Sequence, residues 1–245
     1  GKLRVDISML SSGDTAVIYI GEKLDESGKI DRKPGGNIRF YRYMVTKNTA
    51  DILFLPNVPD KKNTSGNAIR LPISMGIVAP FRYAEIEKSP YAGKINLSRE
   101  YFHYRFNEQA SSFQSNDKAL NAIWDLCKHT IKATSFMGLY IDGDRERIPY
   151  EADALINQLS HYALDTEYSL ARNTFEHLML HPTWPTEWHL QMHQIAWYDY
   201  LYSGNTALIK KYYDLLKLKT LEAFEQSNGL ISTTAKPQRK SFLDS

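Results

Sequence analysis

The hydrophobic period of this chain changes once, near residue 110, and that change limits the folds open to it. Before the change, apolar residues recur at every second position. Val5, Ile7 and Met9 alternate with polar neighbours, 15–20 is a β-branched and aromatic run, and 40–45 alternates again. In 81–87, Phe81, Tyr83, Glu85 and Glu87 fall on one face, with Arg82, Ala84 and Ile86 on the other. Clusters of Gly, Pro, Ser, Asn and Asp at 11–14, 27–28 and 34–37 separate these runs, and 56–67 (PNVPDKKNTSGN) reads as a polar loop. Short strands at this spacing predict a β-sandwich.

After the change the period is that of a helix. Leu120, Ile123, Trp124, Cys127 and Ile131 follow a start at Asp117 that Ser115 or Asn116 can cap. A loop over 135–149 follows, and further helices are predicted over 150–164, 166–180, 187–202 and 206–226. Pro182 and Pro185 break the pattern, as do Gly204-Asn205 and Asn228-Gly229, and the tail after them reads as loop. With 245 residues the chain has length for one large domain or two smaller ones. It reads as a multidomain protein, β then α: a β-sandwich over 1–110 and helical hairpins over 111–245. Five helices do not readily close a helical layer, so the helical domain is expected to be incomplete here. A compact five-helix domain is the alternative.

Composition removes several classes of function. Hydrophobic residues at 42% and charged residues at 24% suffice for a packed core and exclude disorder of the whole chain. No run of 18 apolar residues exists, so no membrane partner is expected. One cysteine, Cys127, allows neither an intrachain disulfide nor a cysteine-based zinc site. Residues 1–110 hold 17 Lys and Arg against 12 Asp and Glu (+5), and 111–245 hold 13 against 16 (−3), giving the net +2. Neither part clusters its cations as a phosphate-tracking surface does, so nucleic acid is not an expected partner. No charged-then-apolar leader precedes the first strand. Either a leader has been removed or the chain starts inside a longer protein.

The chemistry concentrates in Asp142-Gly-Asp144-Arg145-Glu146-Arg147-Ile-Pro-Tyr150-Glu151-Ala-Asp153, with five carboxylates and two guanidinium groups in twelve residues. One reading is a helix start: Pro149 and Tyr150 open the helix, and Glu151 and Asp153 sit where the macrodipole favours negative charge. The other is a glycosidase acid. Glycoside hydrolysis needs one carboxylic acid kept protonated near neutral pH and a second carboxylate across the sugar. Crowded carboxylates raise the pKa of at least one of them, and neighbouring Arg keeps others ionised. On an extended loop, Asp144 to Arg147 would alternate sides, one set facing a ligand while the other anchors the loop.

A second constellation is Trp184, Trp188, His189, His193 and Trp197. His189 and His193 stand at i and i+4 on the predicted helix, but no HExxH pattern accompanies them, so no metal is expected. Trp184 and Trp188 either pack between helices or stack on a sugar ring.

The segment IDGDRERIPYEADA resembles the acidic motif of bacterial α-L-rhamnosidases, glycoside hydrolase family 78. FRYAEIE is similar to that family's strand before its barrel, FQSNDKALNAIWDLCKHTIKAT to its first barrel helix, and WHLQMHQIAWYDYLYSGN to a later Trp-bearing helix. The resemblance implies a β-sandwich leading into an (α/α)6 six-hairpin barrel that removes terminal α-L-rhamnose from glycans or glycosides by inversion, without a cofactor or metal. It implies Glu146 as the general acid, Asp142 and Arg145 as ligands of rhamnose hydroxyls, and Tyr150 as an aromatic lining the sugar site. Asp153 would be a further pocket carboxylate, and Trp188 would correspond to an aromatic of the pocket wall. The spacing from Asp142 to Arg145 is one residue shorter than in the common form of the motif, which makes Asp144 a rival to Asp142. The family's general base is a Glu from the later barrel, and no residue of this sequence matches it. The chain is therefore expected to be the N-terminal part of a larger enzyme that lacks the C-terminal portion of the barrel. A rhamnose-containing carbohydrate is the expected partner, and the expected location is periplasmic or secreted. Another six-hairpin glycosidase with a different sugar, or a carbohydrate-binding protein without catalysis, remain the alternatives.

Overall fold

The computed structural model describes residues 1–87, 89–183 and 186–232. The chain forms two compact units, Gly1–Phe102 and His103–Ser245.

In the first unit, β1 (Lys2–Asp6), β2 (Thr15–Gly21), β3 (Phe40–Thr46) and β4 (Ile52–Phe54) are followed by a single-turn helix, α1 (Lys61–Thr64), then β5 (Tyr83–Ile86) and β6 (Asn96–Glu100). The strands make two antiparallel three-stranded sheets, ordered β4-β1-β6 and β3-β2-β5. Leu3 and Val5 of β1, Ile18 and Ile20 of β2 and Val45 of β3 bury their side chains in one core with Leu55, Phe81 and Ile95. Each full burial of this kind contributes about 1.5–3 kcal/mol.

Three expectations change in this unit. The alternation that began at Val5 ends before Met9, which is exposed. The Asp6 carboxylate accepts the Ser8 N–H at 3.0 Å and the Ser8 hydroxyl at 2.7 Å, and this turn stops β1. Strands β4 and β6 lack a readable pattern, and their pairing with β1 (Val5 opposite Leu53 and Leu97) sets their place. The segment expected as loop contains α1, whose first turn is capped by the Asp60 carboxylate accepting the Lys62 N–H at 2.9 Å.

The second unit is helical: α2 (Lys118–Thr134), α3 (Glu151–Tyr162), α4 (Ser169–Leu180), α5 (Thr186–His189), α6 (Gln191–Ser203) and α7 (Ala207–Leu218). Asp117 caps α2 by accepting the Ala119 N–H at 2.7 Å. Ala154 and Tyr162 of α3, Phe175 and Leu178 of α4, Met192 and Ile195 of α6, and Leu208 and Tyr212 of α7 form the core. Ile131 of α2 packs with Phe106 and Leu164 in a smaller cluster. Polar bonds fix how the helices meet. Gln158 of α3 donates to the Ile195 carbonyl at 2.9 Å, and buried Asp199 of α6 accepts from the Tyr162 hydroxyl at 2.7 Å and from Arg172 of α4 at 3.0 Å.

Several helix bounds move. The helix expected over 166–180 begins at Ser169, because the Glu167 carboxylate accepts the Ser169 N–H at 2.7 Å. The helix expected over 187–202 is two pieces. At the joint, Leu190 N–H bonds to Glu187 O and His193 N–H to Leu190 O, both at 3.3 Å and both three residues apart. The helix expected over 206–226 ends at Leu218. Lys219 and Thr220 bond back three residues, and Leu221 takes a left-handed φ of 63°. Gly204 ends α6 in the left-handed conformation, with its N–H on the Tyr200 carbonyl at 2.7 Å. Among the described residues no helix is long and apolar enough to cross a membrane.

Candidate active site

The acidic segment lies between α2 and α3 and closes on itself. Asp142 N–H donates to the Ile148 carbonyl at 3.1 Å, and Asp142 Oδ1 accepts the Ile148 N–H at 3.3 Å. Inside this loop, Arg147 N–H bonds to Gly143 O at 3.2 Å. Such closure needs left-handed backbone at both ends, with φ 106° at Gly143 and 58° at Arg147. A side chain at the Arg147 conformation is strained by about 1–3 kcal/mol. The Arg147 guanidinium resists that strain. It is buried, and it makes two hydrogen bonds to Asp144 Oδ1, at 3.0 and 2.6 Å.

The loop is thus a turn and not the extended segment that alternation predicted. Turn geometry sorts the charges instead. Asp144 and Arg147 pair with each other as an anchor, while Asp142, Arg145 and Glu146 gather separately. Arg145 Nη2 lies 3.4 Å from both Asp142 Oδ2 and Glu146 Oε1. Glu146 Oε2 accepts the Tyr150 hydroxyl at 2.9 Å. The Tyr150 ring meets Trp188 of α5 edge to face, with centroids 5.8 Å apart. The structure therefore brings Asp142, Arg145, Glu146, Tyr150 and Trp188 into one group. Trp184 lies outside the described residues.

Burial raises the Asp142 carboxyl above its ordinary value. The Ile148 N–H opposes that shift, nearby Glu146 adds to it, and Arg145 opposes it. Asp153, on the first turn of α3, is also raised by burial, against the pull of Arg145. Burial, then the bond to Glu146, hold the Tyr150 hydroxyl protonated well above its usual range. The Glu146 side chain keeps 29% of its exposure. It can therefore meet a ligand while Tyr150 fixes its orientation.

The helix break at Leu190 separates the two histidines that the sequence placed on one helix face. His189 Nε2 donates to the Thr183 carbonyl at 2.6 Å, whereas His193 Nε2 donates to the Leu216 carbonyl at 2.8 Å. Sequence reasoning missed one group here. Glu151, read as an acid of the first helical turn, is fully buried. Its carboxylate accepts the Thr183 N–H at 3.0 Å and the Thr183 hydroxyl, and His189 Nε2 lies 3.7 Å from it. No pattern in the sequence marks that contact, because its partners are 32 residues apart.

Residues 108–238, more than half of the chain, match the family described as the bacterial α-L-rhamnosidase six-hairpin glycosidase domain. The chain belongs to that family. No curated protein matched it.

Proposed function

We propose that this chain carries the acid half of an inverting α-L-rhamnosidase site, with Glu146 as the proton donor to the departing glycosidic oxygen. The contact that supports this most directly is Tyr150 to Glu146. It fixes one carboxylate oxygen and leaves the other beside Arg145. In this reading Asp142 and Arg145 take rhamnose hydroxyls, and Tyr150 and Trp188 offer the ring faces on which a sugar stacks. Asp153 adds a carboxyl that burial favours in its neutral form. Asp144 serves the loop through Arg147, which leaves the hydroxyl-binding role to Asp142. Trp184 joins the wall by its place in the sequence. In the inverting mechanism a second carboxylate activates water on the opposite face, about 6.5–9.5 Å from the acid.

The reading extends to architecture and location. The two sheets of the first unit face each other as a β-sandwich, and the helices form the first part of an (α/α)6 barrel. The substrate is a terminal α-L-rhamnoside of a glycan or glycoside, met in the periplasm or outside the cell.

The test is hydrolysis of a set of 4-nitrophenyl glycosides by the complete enzyme, followed by ¹H NMR of the sugar released first. Release of rhamnose with the anomeric configuration inverted is the expected result. Cleavage of a different glycoside in preference would make this another six-hairpin glycosidase. Rhamnoside binding without turnover would make it a binding protein.

A further inference from the structure

We infer that Glu151 is a positioning residue: it fastens Thr183, and through it His189 of α5, to the start of α3 and so holds Trp188 against Tyr150, which in turn holds Glu146. This deepens the proposed function and rests on it for its consequence in catalysis, although the fastening itself is independent of it.

Glu151 follows directly on Tyr150, so whatever pins Glu151 also fixes the cap of α3. Its side chain is fully buried, and a polar group so buried needs hydrogen-bond partners. Its partners come from outside α3. Thr183 supplies its N–H at 3.0 Å and its hydroxyl, and His189 brings Nε2 to 3.7 Å while the same nitrogen donates to the Thr183 carbonyl at 2.6 Å. The half-buried Lys219 ammonium, beyond the end of α7, adds electrostatic attraction. Thr183 and His189 stand on either side of Trp188 in the sequence; Thr183 bonds Glu151 directly, and His189 is held through its bond to the Thr183 carbonyl. The chain of contact runs from Glu151 through Thr183 and His189 to Trp188. From there it passes by the edge-to-face pair to Tyr150 and by the 2.9 Å bond to Glu146. Glu151 touches no substrate in this arrangement. It acts by setting where the aromatic wall stands relative to the proton donor. Small displacements of such a group cost heavily in turnover.

The experiment labels the complete enzyme with 5-fluorotryptophan and assigns the Trp188 ¹⁹F resonance by its loss in Trp188→Phe. Glu151→Gln keeps the size of the side chain but replaces one accepting oxygen by a donor. Thr183→Val deletes the hydroxyl and retains the backbone bond. Both should move or broaden the Trp188 resonance with the helical circular dichroism unchanged, and Thr183→Ser, which retains the hydroxyl, should restore it. On rhamnosides, Glu151→Gln should lower kcat by on the order of 10- to 100-fold with KM little altered. A Trp188 resonance unmoved by Thr183→Val, or moved equally by Thr183→Ser, overturns the fastening. If the resonance responds as expected but wild-type enzyme cleaves no rhamnoside, the fastening stands and the rhamnosidase reading fails. Should Glu151→Gln fail to fold, the Thr183 pair decides the matter alone.

Discussion

At the scale of single residues, the acidic segment shows how a turn can separate roles that composition leaves mixed. The sequence places Asp142, Asp144, Arg145, Glu146 and Arg147 within six positions, and strand-like alternation would have sent them to two sides. The left-handed backbone at Gly143 and Arg147 sorts them differently, and no spacing rule anticipates it. The residues themselves were legible in the sequence; their grouping depended on two dihedral angles. Asp153 offers a prediction at this scale. Burial lifts its carboxyl above the reference value of 3.8, so between pH 3.8 and its folded pKa the folded state keeps a proton that the unfolded chain has released. Stability from this group is therefore present at low pH and lost as pH rises through that window. Asp153→Asn should melt at a higher temperature than wild type at pH 7. The advantage should shrink as pH approaches 4 in a series of thermal melts. Equal melting temperatures at pH 7 would show that Asp153 carries no burial penalty.

At the scale of elements, the helices existed where the 3.6-residue period said, and their ends moved where side chains competed for backbone groups. Glu167 delays α4, and the Leu190 joint divides a helix whose pattern ran unbroken. The polar strand β6 escaped notice because a single apolar side chain, Leu97, carries its inward face. The third helix holds a group that no period reveals. His161 is fully buried, its Nδ1 bonded to the Tyr140 hydroxyl at 2.6 Å and its Nε2 without a hydrogen-bond partner. The rings of Tyr104, Phe106, Tyr140 and Tyr162 surround it. Burial lowers its pKa below the reference value of 6.5, against the attraction of Asp165 and Glu167. The unfolded chain then binds the proton first as pH falls, so stability present above pH 6.5 is lost as pH drops through that value towards the folded pKa. His161→Gln keeps a neutral acceptor for Tyr140. Its melting temperature should fall less between pH 7 and pH 5 than that of wild type. Parallel curves would show that His161 protonates as readily in the folded protein as in the unfolded chain.

At the scale of the whole molecule, the two periods in the sequence correspond to two compact units, with the division at Phe102 and the matched glycosidase family lying in the helical part. Order along the chain was therefore legible early, although β4 and β6 carry no period to read. The site was less so. Tyr150 and Glu146 are four residues apart, and their bond follows from local structure, but Trp188 reaches them only through the folded arrangement of α3 and α5. That arrangement turns a charged helix start into a candidate proton donor. The decisive measurement is the hydrolysis rate of Glu146→Gln in the complete enzyme across rhamnosides of graded leaving-group ability. Turnover of poor leaving groups should fall by about 10²–10⁴-fold, while activated aryl rhamnosides, which depart without a proton, should be cleaved at close to the wild-type rate. An equal loss on both would mean that Glu146 supports the fold of the loop and donates no proton.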